Sequence, residues 1–162
     1  VKLTLRITHE FSDWLDTQEA LTQKRVRARL ERLQNEAHLG DHKHFSGLTE
    51  LRWEGIRMAN KKTSRKPRKS SKENFAHLPV FDPSKGLEDA KDILESLIEC
   101  LKQNDLESFE DILVAHLRAV SKTRFKSKSG LGRQTLYDLI QGKREFNPSL
   151  KTLGGIFKAL AA

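Results

Sequence analysis

Arg133-Gln134-Thr135-Leu136-Tyr137-Asp138 is the stretch of this chain whose side chains could do recognition chemistry. An arginine can lay two parallel hydrogen bonds on the edge of guanine, and a glutamine can do the same on adenine. Leu136, Leu139 and Ile140 recur at helical spacing and predict the inward side of a helix running from Arg133 to Gln141. That leaves Arg133, Gln134, Thr135, Tyr137 and Asp138 on or near the outer side, with Arg133 and Gln134 suited to base edges. Thr135, Lys126, Lys128, Lys143 and Arg144 are candidate contacts to backbone phosphates, which set affinity and register rather than sequence choice. Other reactive side chains offer less. Cys100 lies in an apolar helical pattern and reads as a small core thiol. His42 and His44 are the nearest approach to a metal spacing and read as a polar turn. His116 falls beside an apolar helix face as a packing residue. Glu107 and Asp111 read as part of a solvated face rather than an acid–base pair.

Presenting those side chains requires a particular frame. A short helix through Phe125 reaches Gly130, which supplies the positive φ of a tight turn. Leu131 is an apolar plug and Gly132 a candidate N-cap. Together they predict a helix-turn-helix, whose second helix enters the major groove. Ahead of it, Ile93, Leu94, Leu97, Ile98 and Leu101 form one apolar face. Asn104-Asp105 interrupts that run, and Leu106, Phe109, Ile112, Leu113, Leu117 and Val120 form a second face. Behind it, Asn147-Pro148 starts a last helix closed by Leu150, Leu153, Ile156, Phe157 and Leu160. Gly154 and Gly155 inside that helix are expected to weaken it by roughly 1 kcal/mol each.

The front of the chain has a different texture. Leu3, Leu5 and Ile7 alternate with polar residues over Lys2–Thr8, the period of a half-buried strand. Phe11, Trp14 and Leu15 then follow at helical spacing, and Leu21, Val26, Leu30 and Leu33 make a narrow apolar stripe among arginines. Gly47–Trp53 reads as a second strand. Two strands around a helical hairpin leave a sheet edge and an apolar face uncovered, so the unit is expected to be weakly stable unless another surface covers it. Residues 58–86 have a composition that favours a flexible basic linker, with Phe75, Leu78, Val80 and Phe81 able to dock on a neighbour.

Charge divides the chain along the same lines. The net +8 over 162 residues resolves into ten basic against nine acidic side chains in 1–57, and seven against none in 58–72. Residues 73–120 then hold four basic against eleven acidic, and residues 121–162 nine against two. Basic segments at 58–72 and 121–162 favour a polyanion. Hydropathy predicts neither a membrane span nor a signal peptide, and the single cysteine fits a reducing cytoplasm.

Two resemblances follow from quoted stretches. Phe11-Ser12-Asp13-Trp14-Leu15, Arg25-Val26-Arg27-Ala28-Arg29-Leu30-Glu31-Arg32-Leu33, Gly40-Asp41-His42-Lys43 and Gly47-Leu48-Thr49-Glu50-Leu51-Arg52 resemble the RelE/HigB-like, addiction-module toxins. The likeness stops near Arg57, short of the strands that carry most of that family's mRNA-cutting surface. It implies Lys43, Arg52 and Arg57 as remnants of an RNA contact. "SGLGRQTLYDLIQGKREFNPSLKTLGGIFKAL" resembles the HigA-type, Cro-like antitoxins, and the likeness reaches back to about residue 75. It implies a five-helix DNA-binding fold, a homodimer on operator DNA, and sequestration of a RelE/HigB-like toxin. It also implies base reading by Arg133, Gln134 and Asp138. Gly132 departs from the usual Ser or Thr cap, and Lys126 stands where a small alanine generally packs between the two helices. Met58 is then the former start of the antitoxin-like part.

The expected architecture is therefore α+β. It comprises a partial strand-helix-helix-strand fragment (1–57), a basic linker (58–86) and an all-α helix-turn-helix domain (87–162). The expected function is a non-enzymatic, cytoplasmic, sequence-specific DNA-binding regulator of the antitoxin type, without metal or cofactor. Two alternatives stand beside it: an mRNA endonuclease fragment completed in trans, and a toxin-binding protein without DNA function.

Overall fold

The structure, a computed structural model, describes residues 3–36, 42–45, 48–51, 77–141 and 147–162. Helix α1 (His9–Asp16) starts where the Thr8 hydroxyl accepts a hydrogen bond from the Phe11 N–H. Helix α2 (Ala20–Glu36) follows. Strands β1 (His42–Phe45) and β2 (Leu48–Leu51) pair antiparallel, with His42 opposite Leu51 and Phe45 opposite Leu48. Helices α3 (Ala90–Lys102), α4 (Leu106–Ala119), α5 (Lys122–Ser129), α6 (Arg133–Gln141) and α7 (Leu150–Leu160) complete the described elements.

Local chemistry sets the boundaries of the later helices. Asp89 and Asp105 each accept a backbone N–H three residues on, at 3.0 Å, and so cap α3 and α4. Asn104 takes a positive φ of 54° between them, a conformation asparagine tolerates better than most residues. Ser149, not the preceding Asn147-Pro148 pair, is the N-cap of α7.

The α+β expectation is corrected. Seven helices dominate the described residues, and no strand-helix-helix-strand unit forms among them. Of the predicted strand at Lys2–Thr8, the described part from Leu3 to Thr8 forms no ladder and makes one isolated bridge, between Arg6 and Val80. Its burial has another origin, because Leu5 packs with Phe81 against α1 and α2 rather than against a sheet. Among the described residues, the other strand pairing is the four-residue β1–β2 hairpin. His42 and His44, read as a polar turn, lie in β1, one arm of that hairpin.

Helix α4 is the hub. It is buried from Asp111 through Leu117, with neighbours on nearly every side, as expected for a helix apolar most of the way round. Ile93, Leu97 and Cys100 of α3, Leu136 and Ile140 of α6, and Ile156, Ala159 and Leu160 of α7 share its core. Ala28 of α2 belongs to the same core, with Leu21 packed against it. A second cluster, Leu15, Val26 and Leu30, joins α1 to α2 and takes in Phe11, Trp14 and Phe81.

The arginines of α2 are not solvated. Arg25, Arg29 and Arg32 sit at spacings of four and three, hence on one helix face. That face lies on α4, where Arg25 meets Asp105 at 2.8 Å and Arg29 meets Glu107 at 2.6 Å. Arg29 also reaches Asp111 at 2.9 Å, and Arg32 reaches both Asp111 and Glu110. Lys24 approaches Asp92 of α3 at 3.7 Å. The acidic middle of the chain is therefore neutralised in large part from within. Burial drives the Glu110 carboxyl upward, with Arg32 only partly opposing. Burial also pushes Glu36 upward, but Arg118 and Arg32 outweigh it and hold that carboxyl below the ordinary range.

Candidate nucleic-acid interface

Helices α5 and α6 are joined by Gly130-Leu131-Gly132. Gly130 closes α5 in the left-handed region at φ 68°, its N–H donating to the Lys126 carbonyl at 3.0 Å. The Leu131 N–H donates to the Ser129 hydroxyl at 3.2 Å. The Leu136 N–H donates to the Gly132 carbonyl at 3.2 Å, which opens α6 at Gly132. Leu131 packs on the main core beneath the turn.

Helix α7 braces this turn from below. A Cβ built on Gly155 would lie 2.9 Å from the Ser129 carbonyl oxygen and 3.1 Å from a methyl of Leu131. Gly155 is thus the residue that lets α7 approach the end of α5, which its weakening of the helix alone does not explain. Gly154 faces open space.

Leu136 and Ile140 anchor α6 in the core, so the opposite side faces outward. Arg133, Gln134 and Asp138 are all exposed on it, and Thr135 is half-buried. The Gln134 amide donates to the Asp138 carboxylate at 2.7 Å, one helical turn on. Arg133 lies over the Tyr137 ring at 5.3 Å and donates weakly to its hydroxyl at 3.4 Å. That hydrogen bond, with the positive charge behind it, lowers the Tyr137 phenol from its usual range and raises the Arg133 guanidinium.

Lys126 is exposed, and Lys128 is half-buried. The Lys126 side chain does not wedge α5 from α6. It borders a surface groove of about 330 Å³ together with Lys122, Thr123, Arg133, Leu136 and Tyr137. Lys122, Thr123 and Tyr137 are missing from the candidates drawn from sequence. The four-residue step from Arg133 to Tyr137 was a usable signal, whereas the groove wall made by α5 has no local signature. Lys143, Arg144, Arg52 and Arg57 lie outside the described residues. Lys43 is in β1, its backbone opposite Glu50 and remote in sequence from the α5–α6 face.

His116 is fully buried in α4. Its Nδ1–H donates to the Leu87 carbonyl at 2.7 Å, the tautomer required because a carbonyl can only accept. Burial depresses its pKa. The ring packs edge-on to Phe125 at 6.1 Å and pins the entry to α3 against the start of the helix-turn-helix. Cys100 is buried and its thiol is pushed up by burial, Arg25 partly opposing. Among the described residues, no group of three His, Cys, Asp or Glu side chains could hold a metal ion, and no helix is long and apolar enough to cross a membrane.

No known protein family, curated protein or solved structure matches the chain.

Proposed function

We propose that the protein is a sequence-specific DNA-binding regulator of the antitoxin type, acting as a homodimer on operator DNA. The observation that carries this reading is the exposed row Arg133, Gln134 and Asp138 on a helix anchored from behind and entered through a left-handed glycine turn. Base-edge readout needs such a row, held on a rigid element and free of protein partners in the core. Lys122, Lys126 and Lys128 alongside supply positive charge for phosphates. A RelE/HigB-like toxin as partner is supported by the acidic face of α4, which takes an arginine-bearing helix; α2 of the toxin-resembling segment occupies that face, so a toxin has to displace it.

Selection from a randomised duplex library, followed by anisotropy titration over a salt series, tests the reading. The expected result is a recovered site preferred over random duplex, with affinity falling as salt rises. Equal binding of all duplexes, or none at low salt, overturns it.

A further inference from the structure

Arg118, in the last turn of α4, joins three elements. Its Nη1 donates to Glu31 of α2 at 3.0 Å, and its Nη2 donates both to the Glu36 carboxylate and to the Ile140 carbonyl at 2.7 Å. Ile140 stands in the last turn of α6, where carbonyls have no donor within their own helix. A cation there satisfies that oxygen and complements the negative end of the helix dipole. The carboxylates that aim Arg118 are themselves fixed. Glu31 receives the Asn35 amide at 2.7 Å and Glu36 receives Arg32 at 3.1 Å. The guanidinium side chain is mostly enclosed, at 16% exposure, so its orientation is set by these partners rather than by solvent.

We infer that Arg118 is a positioning residue through which the seating of α2 is transmitted to α6, so that the front of the chain tunes the helix proposed to read DNA. The physical reason lies in the division of its donors. With Glu31 and Glu36 charged, the guanidinium is held over α4 with one Nη2 hydrogen on Ile140. With both neutralised, nothing ionic keeps it there, and it turns toward water, taking its donor away from the Ile140 carbonyl. The inference rests on the reading of α6 as the base-reading helix, but its structural half can be measured without DNA.

The test uses the full chain with Glu31→Gln and Glu36→Gln together, which keep shape and remove charge. Should that variant not fold, Glu36→Gln alone, at the partly exposed end of α2, takes its place. Amide exchange is followed in α6, with α3 and α7 as internal references. Binding is followed on a library-selected duplex and on a random duplex of equal length. Exchange at Leu139–Gln141 should rise by roughly 2- to 30-fold while α3 and α7 hold, and affinity for the selected duplex should fall by a similar factor, more than for the random one. Arg118→Lys lacks the fork needed to reach both α2 and Ile140 and should reproduce the change. Unaltered exchange in α6, or a rise shared equally by α3 and α7, overturns the relay. Altered α6 exchange in a protein that selects no duplex keeps the relay and sinks the DNA reading; a wild type that selects a duplex with no response in the variants does the reverse.

Discussion

Arg29 and Asp111 meet at 2.9 Å with 4% and 5% of their side chains exposed, across 82 residues of sequence. Asp111 also takes Arg32, so one carboxylate neutralises two arginines at the seam between α2 and α4. Removing it leaves Arg29 on Glu107 alone and Arg32 on Glu110 and Glu36, with two charge-assisted hydrogen bonds lost from a buried seam. Asp111→Ala should therefore destabilise the protein by about 1.5–3 kcal/mol, read as a lowered urea midpoint. A loss within about 0.5 kcal/mol, the range of ordinary surface substitutions, would show that the neighbouring carboxylates replace Asp111 at the seam.

The paired glycines of α7 should part company. Gly154 is exposed in a helix with open space beyond it, so Gly154→Ala should stabilise by about 0.4–1 kcal/mol. Gly155→Ala drives a methyl into the Ser129 carbonyl and Leu131 and should cost about 1–3 kcal/mol. Thermal melts of the two variants decide; equal shifts would contradict the close approach of α7 to the turn.

His116 gives the fold an acid-sensitive point. Burial depresses its folded pKa below the ordinary 6.5, although the Leu87 hydrogen bond and the nearby Asp89 charge oppose the shift. The unfolded chain therefore binds more protons than the folded one between those two values. Stability from this residue is fully present above 6.5 and declines as pH falls through the window beneath it. A urea series from neutral to mildly acid pH should show this decline, and His116→Gln should flatten it.

On DNA, Arg133 and Lys126 should behave differently. Arg133→Ala should erode discrimination among bases by about 1–3 kcal/mol at one position of the selected site. Lys126→Ala should weaken every duplex alike and reduce the salt slope by about 1. Parallel titrations of the selected site and its single-base variants separate the two. Uniform loss from Arg133→Ala would assign that arginine to phosphate.

The helical half of the protein was legible because its signals are local. The apolar period of α3 and α4 is unbroken, Asn104-Asp105 marks the break and the cap between them, and Gly130 announces a left-handed turn. The front misled because Leu3, Leu5 and Ile7 alternate as a strand does, whereas Leu5 packs on a helix pair with Phe81 rather than on a sheet and Leu3 is exposed. Arg25, Arg29 and Arg32 were unreadable for a related reason. Charged residues at helical spacing ordinarily face water, and nothing near them in sequence reveals acidic partners so far along the chain. Of the candidate site, the exposed row on α6 followed from periodicity, while the groove wall and the Arg118 link depend on packing between elements distant in sequence.

Because α2 and α4 belong to one polypeptide, their association is a unimolecular event that dilution does not touch. A free arginine-rich helix offered from outside competes with a tethered rival, whose effective concentration is set by the connecting chain and not by how much protein is present. An intruder of merely equal affinity is therefore turned away at ordinary cellular abundance, and only a much tighter one could unseat the resident helix.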